Sequence, residues 1–321
     1  MPLWLTESDV RAVLEPLELI DAMEAALAAF SAGEIVQPVR NVLEMAPQSF
    51  FAAMPAFYGG RSILGAKLVS VLPANAGRGL PTHMASISLF DARSGQLAAV
   101  VDGRYITEVR TAAVSAVSMR HMGRSDARVL AILGSGVQAG SHLEALTAVQ
   151  RFSEIRAWSP TAANLERFVK STPHGVLAAA SAEDAVRGAD AVAVVTNSPV
   201  PAIDSRWVDD GAHVMAVGSC RPTQQEVDPA LMARARVVVD SRDAAMRESG
   251  DILVPIAEGR FTASHVTAEL GEVAGGKKPG RVNDGEVTLF KSLGLAVEDL
   301  VAADLAYRRA CEKGLGTKLP N

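Results

Sequence analysis

The sequence predicts an α/β protein in which a doubly wound parallel sheet is joined to a discontinuous α+β domain built from the two ends of the chain. Three observations predict it. Apolar runs at Val129–Leu133, Ile155–Trp158, Val176–Ala179, Ala191–Val195, His213–Val217 and Val237–Val239 alternate with helix-patterned stretches, the rhythm of parallel βα units. The stretch AILGSGVQAGSHLEAL, Ala131 to Leu146, carries a strand through Gly134-Ser135-Gly136 into a helix. A glycine-rich turn of this kind usually opens its domain, and here about a third of the chain precedes it, so another unit is completed first.

The first unit starts with helical periodicity from Glu7 to Ala32, where Val10, Leu14, Leu17, Ile20, Met23 and Leu27 recur at three or four residues; Pro16 predicts a break into two helices. From Gln37 to Val101 the runs RNVLEM, FFAAMPAF, ILGAKLVSVL, HMASISLFD and QLAAVVDG are separated by YGG, ANAGRG and ARSG. They predict an antiparallel sheet with glycine turns. An alanine-rich helix, AAVSAVSMRHM, is expected after Arg110, with Thr111 in its first turn. The C-terminal segment reads as helical from about Leu295 and is expected to return to the first domain. The expected division is therefore residues 1–121, completed by about 295–321, and residues 122–294.

At 321 residues, 49% hydrophobic and 21% charged, the chain is long enough for two domains with real cores. No apolar run reaches the roughly 18 residues of a membrane span, and the start MPLWLTESDV lacks the pattern of a secretory signal. The net charge of −5 is dispersed, without a basic block, so nucleic acid is not an expected partner. Two cysteines make no disulfide framework, and six scattered histidines without HxH or HxxxH pairs make no metal site. A cytoplasmic location is expected.

Gly134 and Gly136 suit a strand-to-helix turn that lets a pyrophosphate approach the backbone, and Ala139 occupies the third position, where close helix–strand packing is needed. The amides of Ser135, Gly136, Val137, Gln138 and Ala139 then stand at a helix N-terminus, so a dinucleotide-binding turn of Rossmann type is expected. About 20 residues on, an acidic residue would accept a ribose 2′-hydroxyl. Trp158-Ser159-Pro160-Thr161 stands there instead. The hydroxyls of Ser159 and Thr161 favour NADP(H), with NAD(H) possible.

The stretches ILGSGVQAGSHLEAL, GAKLVSV, GLPTHMASISLFDARSGQLAAVVDGRYITEVRTAAVSA, GAHVMAVGSCRPTQQEVD, SGDI and TLFKSLGLAVEDLVAA resemble the ornithine cyclodeaminase/mu-crystallin family in order along nearly the whole chain. The resemblance implies a substrate-binding and dimerisation domain beside a Rossmann domain, a homodimer, and hydride transfer between a nicotinamide and the α-carbon of an amino or imino acid. It implies catalytic roles for Lys67 and Arg110, with Thr111 beside Arg110 in the family's carboxylate-binding pair, and a second arginine at Arg40. Arginine's planar fork suits that carboxylate. Lys67 stands in an apolar run, so its ammonium has to meet an anion or reach solvent. Met54 is expected to line the pocket, and Thr196, Asn197, Val217, Gly218, Ser219 and Lys291 match segments near the nicotinamide and substrate. His83 is expected to make a structural hydrogen bond.

In AVGSCRPTQQE the resemblance places Cys220 where ornithine cyclodeaminases carry an acid/base aspartate. A thiol is a poor electrostatic partner for a substrate ammonium. A buried or pocket-wall thiol is expected, and a reductase of cyclic ketimine carboxylates is favoured over a cyclodeaminase. An alanine- or arginine-type amino-acid dehydrogenase, and a cofactor-binding protein without catalytic role, are the alternatives.

Overall fold

The computed structural model describes residues 1–46 and 48–320. It divides into two units, Met1–Arg110 with Leu295–Asn321, and Thr111–Gly294. The first division falls eleven residues before the expected one, inside a helix.

The chain opens with β1 (Leu3–Leu5), α1 (Glu7–Arg11) and α2 (Pro16–Ser31). Thr6 caps α1: its Oγ1 accepts from the Asp9 amide at 3.3 Å while its own amide donates to the Asp9 carboxylate at 2.9 Å, a reciprocal arrangement that stabilises by about 1 kcal/mol. Pro16 sits at the start of α2, where its missing N–H costs no hydrogen bond. Six strands follow: β2 (Ile35–Val36), β3 (Asn41–Ala46), β4 (Ser49–Tyr58), β5 (Ile63–Val71), β6 (His83–Asp91) and β7 (Leu97–Asp102). Helix α3 (Gly103–Met122) starts at Gly103, well before Arg110. The Asp102 carboxylate accepts from the Arg104 amide at 2.9 Å, and a Cβ on Gly103 would lie 2.9 Å from the Ala85 Cβ. The glycine that reads as a turn signal therefore permits close packing on β6 instead.

The second unit contains β8 (Val129–Leu133), α4 (Val137–Val149), β9 (Glu154–Trp158), α5 (Ala162–Ser171), β10 (Leu177–Ala178), α6 (Ala182–Val186), β11 (Ala191–Val194) and β12 (His213–Ala216). It continues through α7 (Pro229–Arg234), β13 (Arg236–Val239), α8 (Arg242–Glu248), α9 (Gly250–Ala257), β14 (Val266–Glu269), α10 (Leu270–Ala274) and β15 (Thr288–Lys291). All eight strands are parallel, in the order β10-β9-β8-β11-β12-β15-β13-β14. The order reverses between β8 and β11, which makes the ends of those strands the switch point where ligands bind in open sheets. Strands β14 and β15 were not expected from the sequence. β15 is buried on both faces, so it shows no alternation, and its final residue is a lysine.

The last helix, α11 (Ala296–Lys313), and β16 (Thr317–Lys318) complete the first unit. Its sheet runs β16-β1-β7-β6-β5-β4-β2, with β3 also paired to β4. It is mixed, because β1 runs parallel to β7. α11 packs on α2 and on β4, β5 and β6. The face of the sheet toward it carries Met54, Lys67, Val69 and Ile87, all buried. By strand alternation the opposite face carries Phe51, Phe57, Leu64, Leu68, Met84 and Phe90, and β4 to β6 place no charged side chain there. Phe57, Leu68 and Met84 are 38%, 41% and 42% exposed. Among the described residues no helix is long and apolar enough to cross a membrane.

In the second unit two fully buried histidines bond to α3: His142 Nε2 lies 2.9 Å from Ser115 Oγ, and His213 Nε2 lies 3.0 Å from Ser118 Oγ. Burial pushes them down to about 4 and about 3 respectively, so both fold in the neutral form. The unfolded chain takes up protons near pH 6.5 and the folded one does not, so these rings stabilise the fold fully above that pH and lose their contribution as pH falls towards 4. Denaturant titrations from pH 7 to 4 should show stability falling by up to about 1.4 kcal/mol per pH unit for each ring. A flat profile from pH 6.5 to 5 would contradict this.

Candidate active site

In the first unit β5 presents Lys67 on its inner face, directly across from Met54 of β4. The lysine is 2% exposed. Its Nζ donates to Asp299 Oδ2 at 2.8 Å and to Thr107 Oγ1 at 3.2 Å. Arg110, on α3, donates from Nε to Asp299 Oδ1 and from Nη1 to Glu298 Oε2, each at 2.8 Å. Both carboxylates lie in the first turn of α11 and are fully buried. The expected anion for Lys67 is thus supplied first by the protein itself. The guanidinium of Arg110 is not presented as a whole fork, because two of its nitrogens are engaged by these acids.

Burial pulls the Lys67 ammonium down to about 8, with Asp299 opposing and the charges of Arg110 and Arg40 adding to the fall. Burial alone would raise Asp299, but Arg110 and Lys67 outweigh it and hold the carboxyl below its usual value. Arg40, half-buried before β3, therefore belongs to the same electrostatic centre. Lys67 and Arg110 meet the carboxylates of Asp299 and Glu298, and the charge of Arg40 reaches Lys67. His83, partly buried, is pushed down to about 4 by burial and then by Lys67, so it stands neutral beside the ammonium. Its ring makes no hydrogen bond among the described residues, contrary to expectation. Thr111 is 7% exposed on α3.

Asp299 and Glu298 were missed in the sequence. The available signal was an adjacent Glu-Asp pair flanked on both sides by apolar residues in AVEDLVAA, the side of a helix that must otherwise be buried.

In the second unit the glycine turn has the geometry a dinucleotide needs. Gly134 has φ +124° and its amide donates to the Trp158 carbonyl at 2.9 Å. A Cβ there would lie 2.7 Å from the Val195 carbonyl, so only glycine fits between β8 and the loop after β11. Gly136 is the N-cap of α4, no side chain caps the helix, and no described atom lies within 4 Å of where its Cβ would be. Open space at an uncapped helix N-terminus suits a phosphate. Val137 is 61% exposed, Gln138 half-buried, and Ala139 fully buried in helix–strand packing. Ser135 Oγ donates to Ser159 Oγ at 2.9 Å. Thr161 is the N-cap of α5, but its side chain makes no capping bond.

Thr196 and Asn197 follow β11, half-buried and exposed, and Val217, Gly218 and Ser219 follow β12. Ser219 is buried, with its hydroxyl donated to the Gln224 carbonyl. Lys291 does not present its ammonium to a ligand as expected: it is fully buried at the end of β15, 2.9 Å from Asp251 Oδ2. A lone ammonium at that depth requires such a counter-charge. Cys220 is exposed, not buried.

The profile of the ornithine cyclodeaminase/mu-crystallin family matches residues 2–314. The chain belongs to this family. It is 43% identical over 311 residues to ketimine reductase mu-crystallin of Rattus norvegicus, covering 95% of this chain and 96% of that one. Among solved structures it is similar to Thermococcus litoralis Delta(1)-pyrroline-2-carboxylate reductase in complex with NADH and L-proline, at TM-score 0.96 and 34% identity over 99% of this chain and 100% of that one. An archaeal alanine dehydrogenase dimer with bound NAD gives TM-score 0.94 and 32% identity over 99% of each chain.

Asp299→Asn would leave Lys67 and Arg110 buried without their shared counter-charge. Denaturation should show a loss of about 3–5 kcal/mol. A loss under about 1 kcal/mol would mean that the carboxylate does not carry the cluster.

Proposed function

We propose that this protein is an NAD(P)H-dependent reductase of cyclic ketimine carboxylates, converting pyrroline-2-carboxylate and piperideine-2-carboxylate to proline and pipecolate. The observation that carries the reading is the buried Lys67 and Arg110 pair, fixed by Asp299 and Glu298 with the charge of Arg40 reaching Lys67, an arrangement of cations that suits a substrate carboxylate. When bound, the reduced nicotinamide supplies the hydride equivalent for the C=N carbon. Arg110 and Arg40 hold the carboxylate. Lys67 holds a proton for the ring nitrogen and recovers one from solvent. Its lowered pKa of about 8 leaves it mostly charged at neutral pH yet able to release the proton. Met54, beside it on the sheet face, offers an apolar wall that excludes water.

The thiol at Cys220 argues against a cyclodeaminase, since a neutral side chain gives a second substrate amine no counter-charge. The cofactor would lie with its pyrophosphate on the Gly134–Gly136 turn. No carboxylate ends β9, and the hydroxyls of Ser159 and Thr161 favour a 2′-phosphate, so NADP(H) is the preferred cofactor. The outer face of β4 to β6, which carries no charged side chain, is the surface we assign to a homodimer, because exposed apolar patches of this kind are covered by a partner.

Oxidation of NADPH and NADH should be followed with both ketimines, beside ammonia release from L-ornithine. Ketimine-dependent oxidation without ornithine turnover is expected, and ornithine turnover alone would overturn the reading. Lys67→Met and Arg110→Met should each lower kcat/KM by at least about a hundredfold. Because Lys67 acts in its protonated form, the wild-type rate should fall as pH rises through about 8. Leu68→Asp should shift the sedimentation coefficient from dimer to monomer, and an unchanged value would place the interface elsewhere.

A further inference from the structure

One buried carboxylate ties together the loops at the ends of β11 and β12. Glu226 is fully buried. Its Oε1 accepts from the Thr196 amide at 2.8 Å and from Thr196 Oγ1 at 2.9 Å. Its Oε2 accepts from the amides of Gly218 at 2.6 Å and Ser219 at 3.2 Å. The amides of Glu226 and Val227 donate in turn to Asp251 Oδ1 at 2.7 and 3.0 Å, and Asp251 Oδ2 lies 2.9 Å from Lys291 Nζ at the end of β15. Gly218 makes this possible: a Cβ there would lie 1.6 Å from the Thr196 carbonyl and 2.4 Å from Glu226 Oε1.

Four donors converge on one side chain, and an ionised carboxylate accepts from all four; an amide turns a donor towards a donor, and protonation takes away one acceptor site. The loops it holds stand on the opposite side of β8 from β9, whose end faces the adenosine half of a dinucleotide in a sheet of this order. We propose that Glu226 is the positioning residue for the nicotinamide half of the cofactor, holding the Thr196 and Gly218–Ser219 backbone in the shape on which that half rests. This deepens the NAD(P)H reading above and depends on it.

Burial pushes the Glu226 carboxyl up to about 7, with Lys291 opposing and Asp251 adding to the rise. Lys291 is itself influenced by Asp251, Glu226 and Cys220. Lowering the pH through 7 therefore removes the four-acceptor form. Fluorescence titration of the whole protein should compare the tighter of NADPH and NADH with its nicotinamide-free counterpart, 2′-phospho-ADP-ribose or ADP-ribose. In Glu226→Gln the dinucleotide Kd should rise at least tenfold while that of the nicotinamide-free ligand stays within about twofold. The wild type should lose dinucleotide affinity selectively as pH falls through 7, and Glu226→Gln should not. Glu226→Asp, which keeps the acid and shortens the arm, should be intermediate and retain the pH dependence; it carries the comparison alone if Glu226→Gln does not fold. Equal Kd changes for both ligands, or none, would overturn the positioning role while leaving the cofactor reading intact. A wild type that binds neither ligand would overturn both.

Discussion

The first unit depends on a single buried carboxylate. Asp299 meets Lys67 with one oxygen and Arg110 with the other, across 232 and 189 residues of sequence. Two cations on β5 and α3 repel each other and neither belongs in an apolar interior. With Asp299 between them they become a rigid, almost compensated cluster, and Glu298 steadies the far side of the guanidinium. Such a carboxylate fixes the cations in place, and fixed cations are what a site for a small anionic substrate requires.

The second unit uses the same device at another place. There a carboxylate gathers backbone amides instead of cations, and a second acid, Asp251, links it to Lys291. Ammonium groups that read as ligand-facing in the sequence have therefore been given different work. Lys67 stands where the charges of Arg110 and Arg40 reach it, whereas Lys291 is a buried counter-ion. The difference lies in which acids the fold delivers to each, and that is a matter of tertiary arrangement.

Features set by local geometry were legible in the sequence. Gly134 is required by its own φ and by a neighbouring carbonyl, and a glycine-rich strand-to-helix turn announces itself. The helix break at Pro16 and the antiparallel runs of the first sheet follow equally from short-range rules. Lys67 was conspicuous because a charge in an apolar run needs an explanation. Its partner was not, because Asp299 lies in a segment whose helical pattern is complete without it. Strand β15 escaped notice because a four-residue strand buried on both faces has no periodicity to read, and β14 because its alternation is only four residues long. The start of α3 was masked by a glycine that serves packing while looking like a turn.

The discontinuity of the first unit also orders its assembly in time. During synthesis the segment Met1–Arg110 is made first, yet the acids that neutralise Lys67 and Arg110 and the helix that covers their sheet arrive only after residue 295. The glycine-turn unit, Thr111–Gly294, is contiguous and is complete before them. On the ribosome, the first unit is consequently closed after the second, and its apolar strands have to wait, uncovered, while the whole of Thr111–Gly294 is made.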